Sequence, residues 1–461
     1  MTAPTGEAAP TETAPAPRPR PVRRALDDLG LVVTAEDIER IAAGEPEWLA
    51  ADRRAAFDAF RTLPSEPNRL YTPYIDLRAA ELGDTTVVAD RPATREGATP
   101  AEADATAELA EDGDASIALS NAARAAGVTV GLVRDELDAA RDLLTRDGAL
   151  PTEDRFAQLT RAAWSQALLI DIPAGVQLEH PIVVRWALGA ADRALLTRTL
   201  VRLGEDARAS IVEELIPSDG AADAARQSFF AGTTEVTLGP RASLRVASLQ
   251  ELPPNLIAFQ HRTASVGEGA ELQWALAQLG SRLVRSRVDN RLEGDNSSVE
   301  QVEIVFGGSD QLFDLTSYTT HLGRDTTGNL LSKGALLDKS RSYMKGLITI
   351  ERSAVGTDSF LGEFGMNLSK AARAVAIPSL EIDQPDCRRA AHSSSVGPID
   401  ETQLFYLESR GIPPDEARKF IVLGFLEPVV ARVPLADVQD RLRDLLEAKW
   451  AAGTVDTTQA A

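Results

Sequence analysis

The chain reads as a mainly β protein with helical ends, and two observations predict this. From about Leu168 to Ile382 the apolar residues recur with a period of two, and on either side the period is helical. Inside the β span, turn-like segments of one make-up return at intervals of roughly 26 to 35 residues: Leu203-Gly204-Glu205-Asp206-Ala207, Leu238-Gly239-Pro240-Arg241-Ala242, Val266-Gly267-Glu268-Gly269-Ala270 and Leu292-Glu293-Gly294-Asp295-Asn296. The strands between them are half-buried in pattern: Ala270, Leu272, Trp274 and Leu276 share one face, with Glu271 and Gln273 on the other. Further turns near Asp338, Ser353 and Lys370 lie 15 to 17 residues apart, so the repeat is expected to shorten toward the C-terminus. A repeating strand–turn unit of this length predicts a β-solenoid, with a two-sheet sandwich as the alternative.

The elements follow in order. Residues 1–24 are rich in Pro, Ala and Thr, carry too little apolar surface to offset the entropy of ordering, and are expected to form a disordered tail. Residues 25–165 are expected to be a helical N-terminal region. In it Thr34 stands three before Asp37 at capping-box spacing, and Trp48, Leu49, Ala56, Phe57 and Phe60 mark one helical face. The stretch from about 85 to 112 is Ala, Thr, Asp, Glu and Gly with little periodicity, and is expected to be a mobile insertion. Helical spacing resumes through Val133, Leu137, Ala140 and Leu144 and again through Phe156, Leu159, Ala163 and Trp164. The β core is placed at 166–395, a helical C-terminal domain at 396–450 and a tail at 451–461. In the C-terminal part Asp400 caps a helix that Gly411 ends, and Pro414 opens a second helix that Pro428 is expected to terminate. Leu435, Val438, Leu442, Leu445 and Leu446 then mark a third, amphipathic helix.

Charge and composition narrow the function. With 69 acidic against 48 basic side chains the formal charge is −21, which repels nucleic-acid backbones and anionic lipid surfaces. No apolar run is long enough to span a bilayer, and the N-terminal stretch lacks the apolar core of a signal peptide, so the expected compartment is the cytoplasm. One cysteine, Cys387, excludes an internal disulfide or a multi-cysteine metal site, and four histidines (His180, His261, His321 and His392) lie far apart in sequence. There is no G-x-x-x-x-G-K-[ST] loop to cradle nucleotide phosphates.

The run Ser395-Val396-Gly397-Pro398-Ile399-Asp400-Glu401-Thr402-Gln403-Leu404-Phe405-Tyr406-Leu407-Glu408-Ser409-Arg410-Gly411-Ile412, the first of several linked motifs, is similar to the glycine turn, QLFYL-type helix and RGI-type end of the SufB/SufD family of the SUF iron–sulfur cluster assembly system. Ile377-Pro378-Ser379-Leu380-Glu381-Ile382 resembles its proline-then-LEI strand, and Ala391-His392-Ser393 its histidine motif. Weaker likenesses run from Glu45-Pro46-Glu47-Trp48-Leu49 to Ile170–Val176 and Pro181-Ile182. The resemblance implies a right-handed parallel β-helix core flanked by α-helical N- and C-terminal domains. It also implies pairing of SufB with SufD through their β-helices, and binding of the ABC-type ATPase SufC by the C-terminal helices. SufB-type proteins carry a cysteine just before the proline-LEI strand; Ala372 stands near that place here, and Ser393 replaces an acidic residue after the histidine, so the likeness is closer to SufD.

The expected role is therefore a non-enzymatic scaffold subunit. Its partners would be SufC and either SufB or a second copy of itself, and it would share a transient iron–sulfur cluster. Reduced flavin (FADH2), reported for some complexes of the family, has no visible motif. His392 is the candidate cluster-assembly or iron ligand: the resemblance implies that it matches the histidine SufD contributes at the SufB–SufD interface, and a neutral imidazole suits iron; the alternative is a histidine satisfied by backbone. Cys387, five residues earlier, would face the opposite side of one extended strand, and only the neighbouring Arg388 and Arg389 favour its reactivity. Gln403, Leu404, Phe405, Tyr406, Arg410, Phe420 and Phe425 are the candidate ATPase-binding residues. His261 and His321 are expected in or beside turns, and Lys333-Gly334 and Lys345-Gly346 are expected in turns with solvated amines. A β-helix carbohydrate-active enzyme is a remoter alternative. Such enzymes need clustered carboxylates in a groove, and Asp/Glu pairs do not recur in register here.

Overall fold

A computed structural model describes residues 25–453 apart from 91, 99–101, 112–114, 147, 220, 222–225 and 434, so the expected tail at 1–24 and most of that at 451–461 lie outside the described residues. The chain opens with helices α1 (Ala35–Ala42) and α2 (Glu47–Thr62). The Thr34 hydroxyl accepts from Asp37 N while the Asp37 carboxylate accepts from Thr34 N, so the capping box forms as the spacing predicts. Short strands β1 (Thr86–Val87), β2 (Thr94–Glu96), β3 (Ala105–Ala110), β4 (Ala115–Leu119) and β5 (Thr129–Leu132) follow, with α3 (Asn121–Ala125) between the last two. Helices α4 (Leu137–Thr145) and α5 (Arg155–Ala163) complete the N-terminal part.

The core is a parallel β-solenoid of eight coils, each giving one strand to each of two facing sheets. The first sheet stacks β6 (Gln166–Ile172), β8 (Arg193–Leu203), β10 (Ser228–Leu238), β12 (Leu256–Val266), β14 (Leu283–Leu292), β16 (Leu312–His321), β18 (Arg341–Ile350) and β20 (Arg373–Ile382). The second stacks β7 (Ile182–Leu188), β9 (Arg208–Pro217), β11 (Ser243–Gln250), β13 (Glu271–Gln278), β15 (Ser298–Gly307), β17 (Thr327–Leu336), β19 (Asp358–Asn367) and β21 (Arg389–Pro398). Because neighbours pair in parallel, residues in register stand in columns along the solenoid, and alternate residues point into the lumen. One lumen column runs Val266, Leu292, His321, Ile350 and Ile382.

The repeated glycine of the turns is explained by turns lying on turns. A Cβ on Gly204 would come 2.4 Å from Ala174 N, one on Gly267 2.6 Å from Leu238 O, one on Gly294 2.0 Å from Glu268 N and one on Gly323 2.3 Å from Gly294 O. Each glycine thus meets the backbone of the preceding coil, where any side chain would force the stack apart. Two residues after the glycine the chain turns left-handed, at Asp206, Arg241, Gly269, Asn296 and Asp325. Short polar side chains and glycine tolerate that conformation best, and Arg241 holds it with its guanidinium on Asp206, 2.8 Å away.

Both sheets are covered outside. The N-terminal helices pack on the first, where Phe156 meets Phe259 edge-on at 4.8 Å. The C-terminal helices α7 (Pro414–Val430) and α8 (Ala436–Ala452) pack on the second, setting Val422, Leu426, Val429, Leu442 and Leu446 against Ala247, Ala275, Ile304, Phe306 and Ala335. At the N-terminal end β5 adds antiparallel to β6 and β3 adds parallel to β7, extending both sheets and closing the lumen.

Four expectations need correction. The stretch 85–112, expected to be a mobile insertion, holds β1 to β3. Its period of two is carried by Ala105, Ala107 and Leu109, all buried, and alanines give too weak a signal to stand out among Thr, Asp and Glu. The repeat does not shorten toward the C-terminus. Ser353 lies on the same side as the earlier glycine turns, whereas Asp338 and Lys370 lie on the other, so 15 to 17 residues is half a coil. Pro428 sits inside α7, which runs on to Val430; so near the helix end the missing N–H costs one bond only. Lys333 and Lys345 are in strands β17 and β18, and Lys345 is wholly buried.

Gly294→Ala is expected to lower stability by roughly 1–3 kcal/mol through backbone displacement between two coils. A thermal melt of the variant checks this, and an unchanged midpoint would refute turn-on-turn contact as the reason for the glycine.

Candidate functional site

The solenoid is closed at one end and open at the other. β20 and β21 are the last strands of their sheets, and each presents one unpaired backbone edge. The lumen is uncovered there: Ile382 and Val396, inward by register, are 45% and 39% exposed. Pro378 sits in the middle of edge strand β20, where a residue without an N–H is tolerated and interrupts the donor row.

His392 lies in β21, exposed at this mouth and in register with Leu361, whose side chain packs in the lumen, so the imidazole stands on the inward face. Ser394 stands on the same face over Glu363. Cys387 lies in the turn between β20 and β21 and is half-buried against the cluster of Leu330, Ile348, Ile350, Ala354 and Leu361. Cys387 thus precedes the strand that carries His392 and does not share it. The arginines beside it are engaged elsewhere, Arg388 by Asp325 and Arg389 by Asp358 at 2.7 Å. Among the described residues no three His, Cys, Asp or Glu side chains converge closely enough to hold a metal ion.

A polar column that sequence reading missed runs inside the lumen to this mouth. In register it is Glu213, Ser248, Leu276, Glu303, Ser332, Glu363 and Ser394. Its inner part is well partnered. Arg262 reaches Glu213 at 3.0 Å and Ser248 at 2.9 Å, while Ser286 and Gln278 donate to Glu303 at 2.9 and 3.3 Å. Burial still pushes the Glu303 carboxyl up. Glu363 is 2% exposed, and its Oε2 accepts one bond, from Ile377 N at 2.9 Å. Desolvation pushes it up to about 8, against the lowering effect of that bond. The period of two could have placed Glu363 beside Leu361. Phe360 and Phe364 made the opposite face look equally apolar, because that face too is covered.

The other candidates are structural. His261 lies in mid-strand on the outer face, 2.6 Å from Asp289, not in a turn as expected; Arg287 links Asp289 to Asp154. His321 closes β16 inside the lumen, bonded to the Thr326 and Ser359 hydroxyls at 2.8 and 3.0 Å, and burial lowers it to about 4, so it is neutral at pH 7. Lys345 meets Asp314 at 2.5 Å, and Arg285 meets Glu66 at 2.9 Å, in a charge-balanced cluster that ties the N-terminal segment to the first sheet. Lys333 donates to Phe425 O at 2.7 Å with its amine over the ring.

The C-terminal helices divide the remaining candidates. α6 (Glu401–Ser409), capped by Asp400 through Thr402 N, buries no residue completely. Phe405 and Tyr406 on α6 and Phe420 on α7 are exposed by 71, 56 and 54%, with Arg410 over the Tyr406 ring at 5.0 Å. Gln403 is exposed, Leu404 half-buried, and Phe425 faces the solenoid and its lysine.

The class of protein is thus a parallel β-solenoid with one open end, flanked by N- and C-terminal helices. The family model described as "SUF system FeS cluster assembly, SufBD core domain" matches residues 186–425, and the chain belongs to the SufB/SufD family. Among its relatives, the iron–sulfur cluster assembly protein SufD of Bacillus subtilis is 29% identical over 317 residues, covering 68% of this chain and 71% of SufD. An iron–sulfur cluster assembly SufBD family protein of Mycobacterium tuberculosis is 28% identical over 309 residues, 65% of this chain and 75% of that protein. SufB of Bacillus subtilis is 26% identical over 285 residues, 62% of this chain and 60% of SufB, so within the family the chain is closer to SufD. None of the described helices is long and apolar enough to cross a membrane.

Glu363→Gln should raise stability at alkaline pH. Unfolded, a glutamate releases its proton near 4.5; folded, Glu363 holds it to about 8, so the native state binds more protons and loses stability as pH rises from 4.5 through 8. The neutral glutamine removes that loss, roughly several kcal/mol in full. Melting midpoints of variant and wild type should converge near pH 4.5 and separate by pH 8.5, the variant higher; parallel curves would contradict a desolvated carboxyl.

Proposed function

We propose that this chain is the SufD-like scaffold subunit of a cytoplasmic iron–sulfur cluster assembly complex, in which its open end meets a SufB-type partner and its C-terminal helices bind the ATPase SufC. The observation that carries the reading is the mouth itself: two unpaired edges, one of them bearing a lumen-facing histidine. Exposed edges invite pairing with another chain, and an imidazole on the inward face is available to iron or a nascent cluster brought by the partner. The cluster is cargo, held in part by the partner's ligands. Phe405, Tyr406 and Phe420 supply the exposed aromatics for ATPase docking, with Gln403, Leu404 and Arg410 beside them in sequence; Phe425, packed toward the solenoid and Lys333, is not exposed for it.

Tagged chain co-expressed with cognate SufB and SufC should retain both. His392→Ala is expected to assemble normally and to lose iron and acid-labile sulfide, whereas Phe405→Ser with Phe420→Ser should lose SufC and keep SufB. Failure of the wild type to retain either protein would sink the reading, and retention of a second copy of itself in place of SufB would make the scaffold homodimeric.

A further inference from the structure

We propose that residues 15–22, in the stretch that precedes Ala25, pair antiparallel with the open edge of β20 in the free chain, and that a docking partner has to displace them. The pairing stands on the edge and the sequence; the displacement rests on the proposed assembly role. The first support is the order of residues in Ala14-Pro15-Ala16-Pro17-Arg18-Pro19-Arg20-Pro21-Val22-Arg23-Arg24, where proline takes every second place from 15 to 21. Successive amides of an extended strand point to opposite edges. The prolines therefore strip one edge of every donor, while Ala16, Arg18, Arg20 and Val22 keep all of theirs on the other. Such a strand pairs on one side and offers no donors on its far side, which suits the last strand of a sheet. Each residue before a proline is already held extended, so pairing costs little entropy.

The edge has the matching pattern. Arg373 N reaches Ser340 O and Asp383 N reaches Ile350 O, so the odd-numbered amides of β20 point at β18. The even-numbered ones point outward: Ala376, Leu380 and Ile382 offer donors there, Pro378 has none, and Ala374 N is taken by Asn367 Oδ1 at 2.9 Å. Even-numbered side chains of β20 face the lumen, so residues bonded opposite them lay Ala16, Val22 and the stems of Arg18 and Arg20 over the exposed Ile382. Reach and direction agree as well. Leu77 N donates to Leu26 O at 2.7 Å, and Asp76 meets Arg341, which is in register with Arg373 at the start of β20. The chain before Ala25 thus leaves beside the leading end of β20 and runs back along it in the antiparallel sense, as β5 lies on β6 at the other end of this sheet. Residues 13–24 hold four arginines and no acid on a chain of net charge −21, so attraction favours the contact. A tethered strand has an effective concentration in the millimolar range, enough to populate a weak pairing.

The test is amide hydrogen exchange along β20 in the full chain without partners. Arg18→Pro with Arg20→Pro removes two of the four donors and should speed exchange at Ala376, Leu380 and Ile382 by about tenfold or more. Arg18→Ala with Arg20→Ala keeps both N–H groups and should stay close to wild type. Equal exchange in wild type and the proline variant would overturn the pairing, and protection that vanishes on dilution would assign the edge to a second copy and overturn it too. The proline variant should also bind the SufB-type partner about threefold or more tightly than wild type, since more of the chain then has a free edge. Unchanged affinity would overturn the displacement and leave the pairing, while co-purification of wild type judges the assembly reading separately.

Discussion

Everything in this molecule depends on backbone hydrogen bonding between coils. A parallel stack satisfies each strand from its two neighbours, and it does so only while successive turns lie directly on one another. Gly204, Gly267, Gly294 and Gly323 are the places where that contact leaves no room for a Cβ. The ladder sets the register, the register sets the columns, and the columns decide which side chains reach the lumen. His392 and Glu363 are neighbours in space because of this, although 28 residues and a turn of the solenoid separate them in the chain.

The interior is more polar than a folding core requires. Hydrophobic layers of Leu272, Trp274, Val288 and Leu292 alternate with Arg262, Gln260, Gln278 and Glu303. Buried polar groups are costly unless partnered, and most of these are, through bonds that cross from one sheet to the other. They fix the sheets at one mutual position. Charge on the outer face does comparable work: Glu66, Arg285, Asp314 and Lys345 fasten the N-terminal segment to the first sheet.

Much of this was legible from the residues. The change of period located the β core, the recurring Leu-Gly turns gave the coil length, and Thr34, Asp400 and Gly411 marked helix ends that form as expected. Other parts were hidden for physical reasons. Alanine strands such as Ala105–Ala110 bury a face without a strong apolar signal. Lys345 looked solvated because its counter-charges, Asp314 and Glu66, are distant in sequence. His392 could be singled out through its motif, but Glu363 could not, since which face of β19 is the lumen is fixed only by pairing with β17 and β21.

The inequality of the two ends limits growth. A solenoid open at both ends would template its own continuation and polymerise, as any head-to-tail contact does unless it closes. Here β2 to β5, of mixed direction, cover the lumen at one end and leave the other as the open one. In the proposed assembly, a partner built the same way would meet the chain at its open mouth and carry its own capped lumen on the far side. In the proposed assembly the N-terminal cap, a part of the chain whose composition suggested little structure, would be the chain terminator.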